Sequence, residues 1–326
     1  MPRDAAPPQV APQADPAEAA APAASGESAL SPMPPRKPLT LADLLAEEAE
    51  EYEVPTIGTL PPLFGEAAIV RSPRTLPIPD LTRLARAWLL MGEGNTGKTM
   101  FARILAGKLF ELDQDAVLAA VAPGNRNLER FVENVMQPPG TDPRETAAWM
   151  LKLLMGMARR RRGGVLDGGG GDQATAEMIR AAPDLPERLE ESGLALVAAH
   201  FLGPRIDDLI YLASYEAQGF RPRATALVLN LARAESPSAF DDIRRQPAYK
   251  AALDRGAVEV WLPALAQDVA LAIERKGLNF AQARDGVSPE GRSVQPLGPL
   301  QRTQLRHWLA AVEAELAPIQ TWLPWS

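Results

Sequence analysis

Continuous apolar runs, each followed by a polar turn and a segment with helical spacing, recur along most of this chain. Such runs do not alternate with polar residues, which is typical of strands that are buried on both faces of a parallel sheet. They predict a short strand that ends at Asp167 and further strands at Ala87–Met91, Ala116–Ala122, Leu194–Phe201, Ala224–Leu231 and Val258–Pro263.

The segments between these strands have apolar positions three or four residues apart, as expected of helices that cover a sheet. They predict helices at Lys98–Leu112, Glu145–Arg162, Ile206–Ala217, Gln267–Lys276 and Leu300–Leu316. Because strand, loop and helix repeat in this order, we expect an α/β fold of three layers, with a mostly parallel sheet and helices on both faces.

The first part of the chain differs in composition. Residues 1–40 hold ten prolines and eleven alanines with almost no large apolar side chain, so they cannot bury enough surface to offset the entropy of ordering. We predict a disordered tail and linker over residues 1–75 and a folded domain over residues 76–326. A short acidic helix predicted at residues 39–52 is either a docking element or a transient helix in the linker.

Composition limits the chemistry that the chain can perform. It has no cysteine, which excludes disulfides, thiolate nucleophiles and cysteine-ligated metals, and two histidines, His200 and His307, which are too few for a multi-histidine metal centre. No apolar run approaches the length of about 20 residues that a membrane-spanning helix needs, and the N-terminus lacks the apolar segment of a signal peptide. We therefore expect a cytoplasmic protein.

The most specific motif lies at residues 91–100 and fits the pattern G-x-x-x-x-G-K-[ST] without a mismatch. It stands between a predicted strand and a predicted helix, which is the setting of a phosphate-binding loop. We expect Lys98 to reach the β and γ phosphates and the Thr99 hydroxyl to ligate Mg²⁺. The residues predicted to bind the nucleotide through this loop are Gly92, Glu93, Gly94, Asn95, Thr96, Gly97, Lys98, Thr99 and Met100.

Asp167 ends a predicted strand and is followed by four glycines. A carboxylate in this position holds Mg²⁺ in the second half of a phosphate-loop site. We predict Lys98 and Asp167 as catalytic residues and Thr99 and Asp167 as metal ligands. Taken without the upstream loop, the same segment is an ordinary flexible turn.

Three further features are candidates for binding. Asn230 ends a predicted strand, and its amide offers a donor and an acceptor to the edge of a purine. The run Arg159, Arg160, Arg161 and Arg162 either contacts a DNA backbone or a partner, or is the solvated basic end of a helix. Trp322 and Trp325 look exposed in the sequence, and we expect them to pack on the domain or on a second subunit.

With these residues in place, the chain resembles the ParA/MinD-type P-loop ATPases, of the SIMIBI class with a deviant Walker motif, and most closely the branch associated with plasmid partition or mobilisation. The resemblance rests on Gly92–Thr99, the Gly124–Arg126 turn, Asp167 with its glycines, the strand that carries Asn230, and the segment Val260–Pro263. It implies binding of ATP and Mg²⁺, contact between Asn230 and adenine, a nucleotide-dependent homodimer, and a protein partner in a DNA partition or mobilisation system.

Two departures from that family concern hydrolysis. The family's signature lysine falls on Glu93, and its strand-end aspartates fall near Ala120 and Ala122. A carboxylate cannot neutralise phosphate charge, and alanine cannot orient water. Two alternatives therefore stay open: a nucleotide-binding scaffold that never hydrolyses, and an AAA+ motor, although Gly168 stands where such motors have a glutamate.

Overall fold

The structure, a computed structural model, describes residues 69–122, 128–170, 173–288 and 293–325. All of them belong to the second of two units into which the chain divides, Leu60–Ser326. The short helix predicted at residues 39–52 and the Gly124–Arg126 turn lie outside the described residues. The boundary predicted between residues 75 and 76 stays a prediction.

A six-stranded sheet forms the centre of the domain, and every pairing between its neighbouring strands is parallel. Its order is β2-β3-β1-β4-β5-β6. The α/β architecture predicted from the apolar runs is confirmed. The strands are β1 (Ala85–Gly92), β2 (Val117–Ala120), β3 (Gly164–Asp167), β4 (Leu194–Leu202), β5 (Ala224–Asn230) and β6 (Val258–Leu262).

Helices of varied length cover both faces of this sheet. The long ones match the predicted segments within two residues at each end, except that Ile206–Ala217 begins with a turn of 3₁₀ helix. They are α1 (Lys98–Glu111), α2 (Pro143–Arg160), α3 (Gln173–Ala181), α4 (Leu185–Glu191), α5 (Ile210–Ala217), α6 (Asp241–Arg244), α7 (Pro247–Asp254), α8 (Gln267–Lys276), α9 (Phe280–Asp285) and α10 (Pro299–Leu316). The 3₁₀ turns are Ile206–Leu209, Leu231–Arg233, Pro237–Phe240 and Ala317–Trp322.

The C-terminal segment packs against the amino end of the sheet. Trp322 is fully buried, so its expected packing on the domain is confirmed. Its carbonyl accepts a hydrogen bond from the Trp88 indole at 2.7 Å, and its own indole donates to the Pro79 carbonyl at 2.8 Å. The Arg86 guanidinium donates to the Leu323 carbonyl at 3.0 Å. Strand β1 is thus fixed at its beginning by the last residues of the domain.

A buried carboxylate on the edge strand β6 holds the beginning of the described chain. Glu259 accepts hydrogen bonds from the Ser72 backbone and hydroxyl, at 2.9 and 2.7 Å, from the Tyr249 hydroxyl at 2.7 Å and from Arg244 at 3.1 Å. Arg244 also donates to the Val70 carbonyl at 2.7 Å. Residues 70–72 are therefore tied to the edge of the sheet.

None of the helices in the described ranges combines the length and the apolar composition that crossing a membrane requires.

Candidate functional site

The loop between β1 and α1 depends on glycine at both ends. Gly92 has φ +132°, and a Cβ there would lie 2.5 Å from the carbonyl oxygen of Phe201 on the adjacent strand β4. Gly97 caps α1 with φ +104°, and its Cβ would lie 2.5 Å from the amide nitrogen of Asn230. A side chain at either position would collide with its neighbour and strain the backbone. The loop consequently turns tightly from the strand into the helix.

Lys98 lies across this loop. Its ammonium group donates to the carbonyls of Gly92 at 2.9 Å and Glu93 at 2.6 Å, and the residue is buried. The Thr96 hydroxyl also donates to the Glu93 carbonyl, at 2.8 Å. The loop thus places one cation at its centre, held by backbone oxygens that an anion's oxygens can replace as partners.

Thr99, in the first turn of α1, lies next to Asp167 at the end of β3. Strand β3 pairs directly with β1, with Asp167 opposite Leu90, and the Thr99 hydroxyl donates to Asp167 Oδ2 at 2.7 Å. Asp167 is 4% exposed, and within the described chain its Oδ1 has no hydrogen-bond partner. Burial raises its pKa to about 6, against the opposing effects of the Thr99 bond and the Lys98 charge.

These two oxygens fit a magnesium ion. Mg²⁺ takes few protein ligands, commonly one or two oxygens, and completes its shell with water and phosphate. A hydroxyl beside a carboxylate with one unpartnered oxygen supplies that donor set. Within the described ranges no group of three or more histidine, cysteine or carboxylate side chains could hold a metal ion.

The glycines that follow Asp167 lie against the loop. A Cβ at Gly170 would lie 2.4 Å from the Cα of Gly94, and one at Gly169 would lie 2.9 Å from the Cβ of Ala122. The Gly168 amide donates to the Leu90 carbonyl at 3.0 Å. The glycine segment that was predicted to be flexible therefore begins in close contact with the phosphate loop, at Gly94, and with Ala122.

Asn230 supports the loop from the other side. Its amide nitrogen donates to the Thr96 carbonyl at 2.7 Å, and its amide oxygen accepts from the Ala232 backbone at 3.0 Å. The nitrogen and the oxygen of the side-chain amide thus each have a hydrogen-bond partner within the chain, and the residue is buried. The structure therefore places Asn230 as a residue that positions the loop, and its contact with a purine stays a prediction.

The sequence analysis also named two histidines and an arginine run. His200 lies in β4 opposite Met91, the residue before the loop, with its ring near Tyr215, and burial lowers its pKa to about 4. His307 is exposed on α10. Residues 159–162 lie at the end of α2 and just before β3, at the opposite end of the strands from the phosphate loop. The arginines are thus not brought into the loop site.

One carboxylate near the loop escaped the sequence analysis. Asp208 is 8% exposed and follows β4, accepting from the Arg205 backbone at 3.2 Å. Burial raises its pKa, and the charge of Glu93 adds to the effect. The available signal was its place just beyond a buried strand, at the edge of the sheet where α/β proteins bind ligands.

The sheet, the glycine loop and the Thr99–Asp167 pair together define an α/β fold of the P-loop NTPase type. No protein-family model matches the chain, and no curated protein sequence matches it. Among solved structures it is similar to the cell division protein FtsY of Thermotoga maritima, with 14% identity, 73% of this chain and 72% of that chain covered, and a TM-score of 0.39. FtsY of Mycoplasma mycoides has 11% identity, covers 73% of this chain and 70% of that chain, and has a TM-score of 0.38. At these values neither likeness carries an argument about function.

Proposed function

We propose that the chain is a nucleotide-binding switch of the ParA/MinD type that binds ATP with Mg²⁺ at the loop of residues 92–99. The observation that carries this proposal is the hydrogen bond of 2.7 Å from Thr99, just after the glycine loop, to Asp167 at the end of the neighbouring strand β3. That contact places a hydroxyl, a carboxylate and the Lys98 ammonium around one small space. Phosphate and magnesium together use this combination of groups.

Each residue has a distinct role in the proposal. Lys98 exchanges its bonds to loop carbonyls for bonds to phosphate oxygens, which are stronger because both partners are charged. The amides at the start of α1 face the phosphate and add the positive end of the helix dipole. Thr99 and Asp167 hold Mg²⁺, whose charge offsets that of the triphosphate.

Hydrolysis is the weaker part of the proposed cycle. Ala122 lies beside Gly169, so the position next to the loop carries a methyl group that cannot orient water. Glu93 is a carboxylate where the resembled family has a lysine. Asp208 is close, but it accepts backbone hydrogen bonds in its own turn. We infer slow turnover unless a partner completes the site.

Ile206 and Ile210 support the proposed homodimer. Both are more than half exposed, at 52% and 57%, and follow strand β4, whose end pairs with that of β1 at Gly92 and Phe201. Both isoleucines thus lie beyond the carboxyl end of β4, at the same end of the sheet as the loop, and large exposed apolar side chains are common at interfaces. A second copy that faces the nucleotide would cover these two side chains, as the resemblance implies.

Binding and turnover measured together test the proposal. Isothermal titration with ATP and with GTP, each with Mg²⁺, is followed by phosphate release from the same samples. The variant Lys98→Ala should lose binding. Lys108→Ala, in the last turn of the same helix and partly exposed, should bind as the parent chain does. Absence of Mg²⁺-dependent binding would refute the proposal, and a preference for GTP would refute the adenine contact.

The second candidate, a scaffold that binds ATP without hydrolysing it, is favoured by the alanine at position 122. It predicts tight binding with no phosphate release, even when DNA and a partner extract are added. Size-exclusion chromatography with light scattering separates the remaining alternative, because an AAA+ motor forms hexamers whereas the switch forms nucleotide-dependent dimers. Ile210→Asp should abolish a dimer of the proposed kind.

A role in DNA partition or mobilisation, with a protein partner and with Arg159, Arg160, Arg161 and Arg162 contacting DNA in the cytoplasm, belongs to the same proposal. Its support is the resemblance together with the exposure of three of these four side chains. Co-purification from a host that carries a mobilisable plasmid is the direct test of the partner.

A further inference from the structure

A cavity lies at the end of the sheet opposite the phosphate loop. It has a volume of about 450 Å³. Its walls come from the start of β1, the end of α2, the turn before β2 and the C-terminal segment. The described residues that line it are Ala85, Arg86, Gln114, Asp115, Arg160, Arg161, Arg162, Gly163, Pro324 and Trp325.

The cavity is basic on a protein whose formal net charge is −7. Among its described lining residues, four arginines face a single acid, Asp115, which pairs with Arg162. Arg160 and Arg161 are exposed, and the buried Arg86 is anchored to the Leu323 carbonyl. The local excess of positive charge favours an anion.

The favourable interaction of cations with the C-terminal end of the α2 dipole does not by itself explain why so many arginines line the cavity. A basic residue in the last turn of α2 is favourable, and Arg159 and Arg160 already supply it. Arg161 has left-handed backbone geometry, with φ +48°, and the chain then folds back so that Arg162 donates to the Asp115 carbonyl at 3.3 Å. Arg161 is thus the left-handed C-cap of α2, and the turn that follows leaves Arg160, Arg161 and Arg162 all lining the cavity.

Trp325 gives the cavity an aromatic wall beside the arginines. The face of an indole ring can stack on any of the nucleobases, and arginines along the same groove can bind the phosphates that connect them. A concave site of this volume, within the range of roughly 300–1,000 Å³ typical of ligand pockets, admits a unit of about one nucleotide. In a double helix the bases are stacked between the two strands, so they cannot enter the cavity.

We propose that this cavity binds a single-stranded segment of nucleic acid, with a base against Trp325 and the neighbouring phosphates on Arg160 and Arg161. The site is separate from the phosphate loop and does not require nucleotide binding there; it narrows the DNA contact already proposed for residues 159–162 to a single strand. Its salt dependence follows from the release of counterions when arginines replace them at the phosphates.

The test is fluorescence anisotropy with a labelled oligothymidylate of about 15 nucleotides, a length suited to one compact site. The full chain is titrated without nucleoside triphosphate at several salt concentrations, and a duplex of the same length is the comparison. We expect tighter binding of the single strand. Trp325→Ala should weaken it about tenfold, and Trp325→Phe should restore most of the loss.

Charge variants give the second readout. Arg160→Gln should reduce the slope of log K against log salt concentration by about 0.7. Arg188→Gln, an exposed arginine in the last turn of α4, is the matched control and should leave the slope unchanged. Lys98→Ala should bind the oligonucleotide as the parent chain does. Equal or tighter binding of the duplex, or wild-type binding by the Trp325→Ala and Arg160→Gln variants, would overturn the proposal.

Discussion

We expect the buried charge of Asp167 to lower the stability of the protein when no nucleotide is bound, and the Asp167→Asn variant measures by how much. The amide keeps the shape and an oxygen that accepts the Thr99 hydroxyl, but it carries no charge. Burial raises the pKa of Asp167 from 3.8 to about 6. Between these values the native state holds a proton that the unfolded chain has released, so the free energy of unfolding falls as the pH rises.

The size of the effect follows from the pKa. A difference of about two units, at about 1.4 kcal/mol per unit, corresponds to about 3 kcal/mol. At pH 8 we expect Asp167→Asn to be more stable than the parent chain by this amount. At pH 5 the native carboxyl is mostly protonated, and the expected gain is about half as large.

Urea unfolding followed by tryptophan fluorescence at pH 5 and pH 8 measures both values. Asp254→Asn, an exposed substitution of the same kind on α7, is the control and should change stability by less than about 0.5 kcal/mol. If Asp167→Asn is no more stable than the parent chain at pH 8, or gains equally at both pH values, the buried charge is not the cause.

Adding ATP and Mg²⁺ should reverse the order of stability. A ligand at about 1,000 times its dissociation constant stabilises the native state by about 4.1 kcal/mol, which exceeds the difference of about 3 kcal/mol expected at pH 8. We expect this increase in the parent chain and none in Asp167→Asn, whose amide is a poorer ligand for a hard cation. An equal increase in both would remove Asp167 from the proposed metal site.

Further variants test the loop and the core. Gly97→Ala should abolish nucleotide binding in the titration and lower the melting temperature, because its φ is +104° and its Cβ would collide with a neighbouring side chain; Gly107→Ala, with nothing within 4 Å of its Cβ, should instead stabilise the protein by about 0.5–1 kcal/mol. Trp322→Ala should lower the free energy of unfolding in urea by about 3–5 kcal/mol, since the side chain is fully buried, and a loss below about 1 kcal/mol would contradict its role in the core. Burial tends to raise the pKa of Glu259, but its hydrogen bonds and the Arg244 charge hold that pKa below its usual value, so the stabilisation is present above the unfolded pKa and is lost as the pH falls through the folded one. Glu259→Gln should therefore destabilise the protein at pH 7 and flatten this acid dependence in urea titrations, whereas an unchanged acid limb would show that other carboxylates cause it.

The sequence was most informative for the strands and the phosphate loop, whose structure depends mainly on residues that are close together in the chain. The strands of the sheet are buried on both faces, so their apolar runs are unbroken and easily recognised. The predicted loop needed only glycine spacing and its two flanks. Short helices such as α4, α6 and α9 were not predicted, because they have fewer than eight residues and depend on packing rather than on their own periodicity.

Partners distant in sequence could not be predicted. Nothing near Asn230 indicates that its amide holds the Thr96 carbonyl, 134 positions away. The burial of Trp322 depends on hydrogen bonds with Trp88 and Pro79, over 200 positions earlier. A tryptophan near the end of a chain therefore looks exposed until the fold brings its partners to it.

The clamp on strand β1 has a practical consequence. Its far end becomes the phosphate loop, while its near end is bonded through Arg86 and Trp88 to the carbonyls of Leu323 and Trp322. Strand β1 is therefore held in place by hydrogen bonds at the end that is farther from the loop. Removing residues 322–325 would break both hydrogen bonds at the beginning of the strand, and we expect the loop at its other end to become less well fixed.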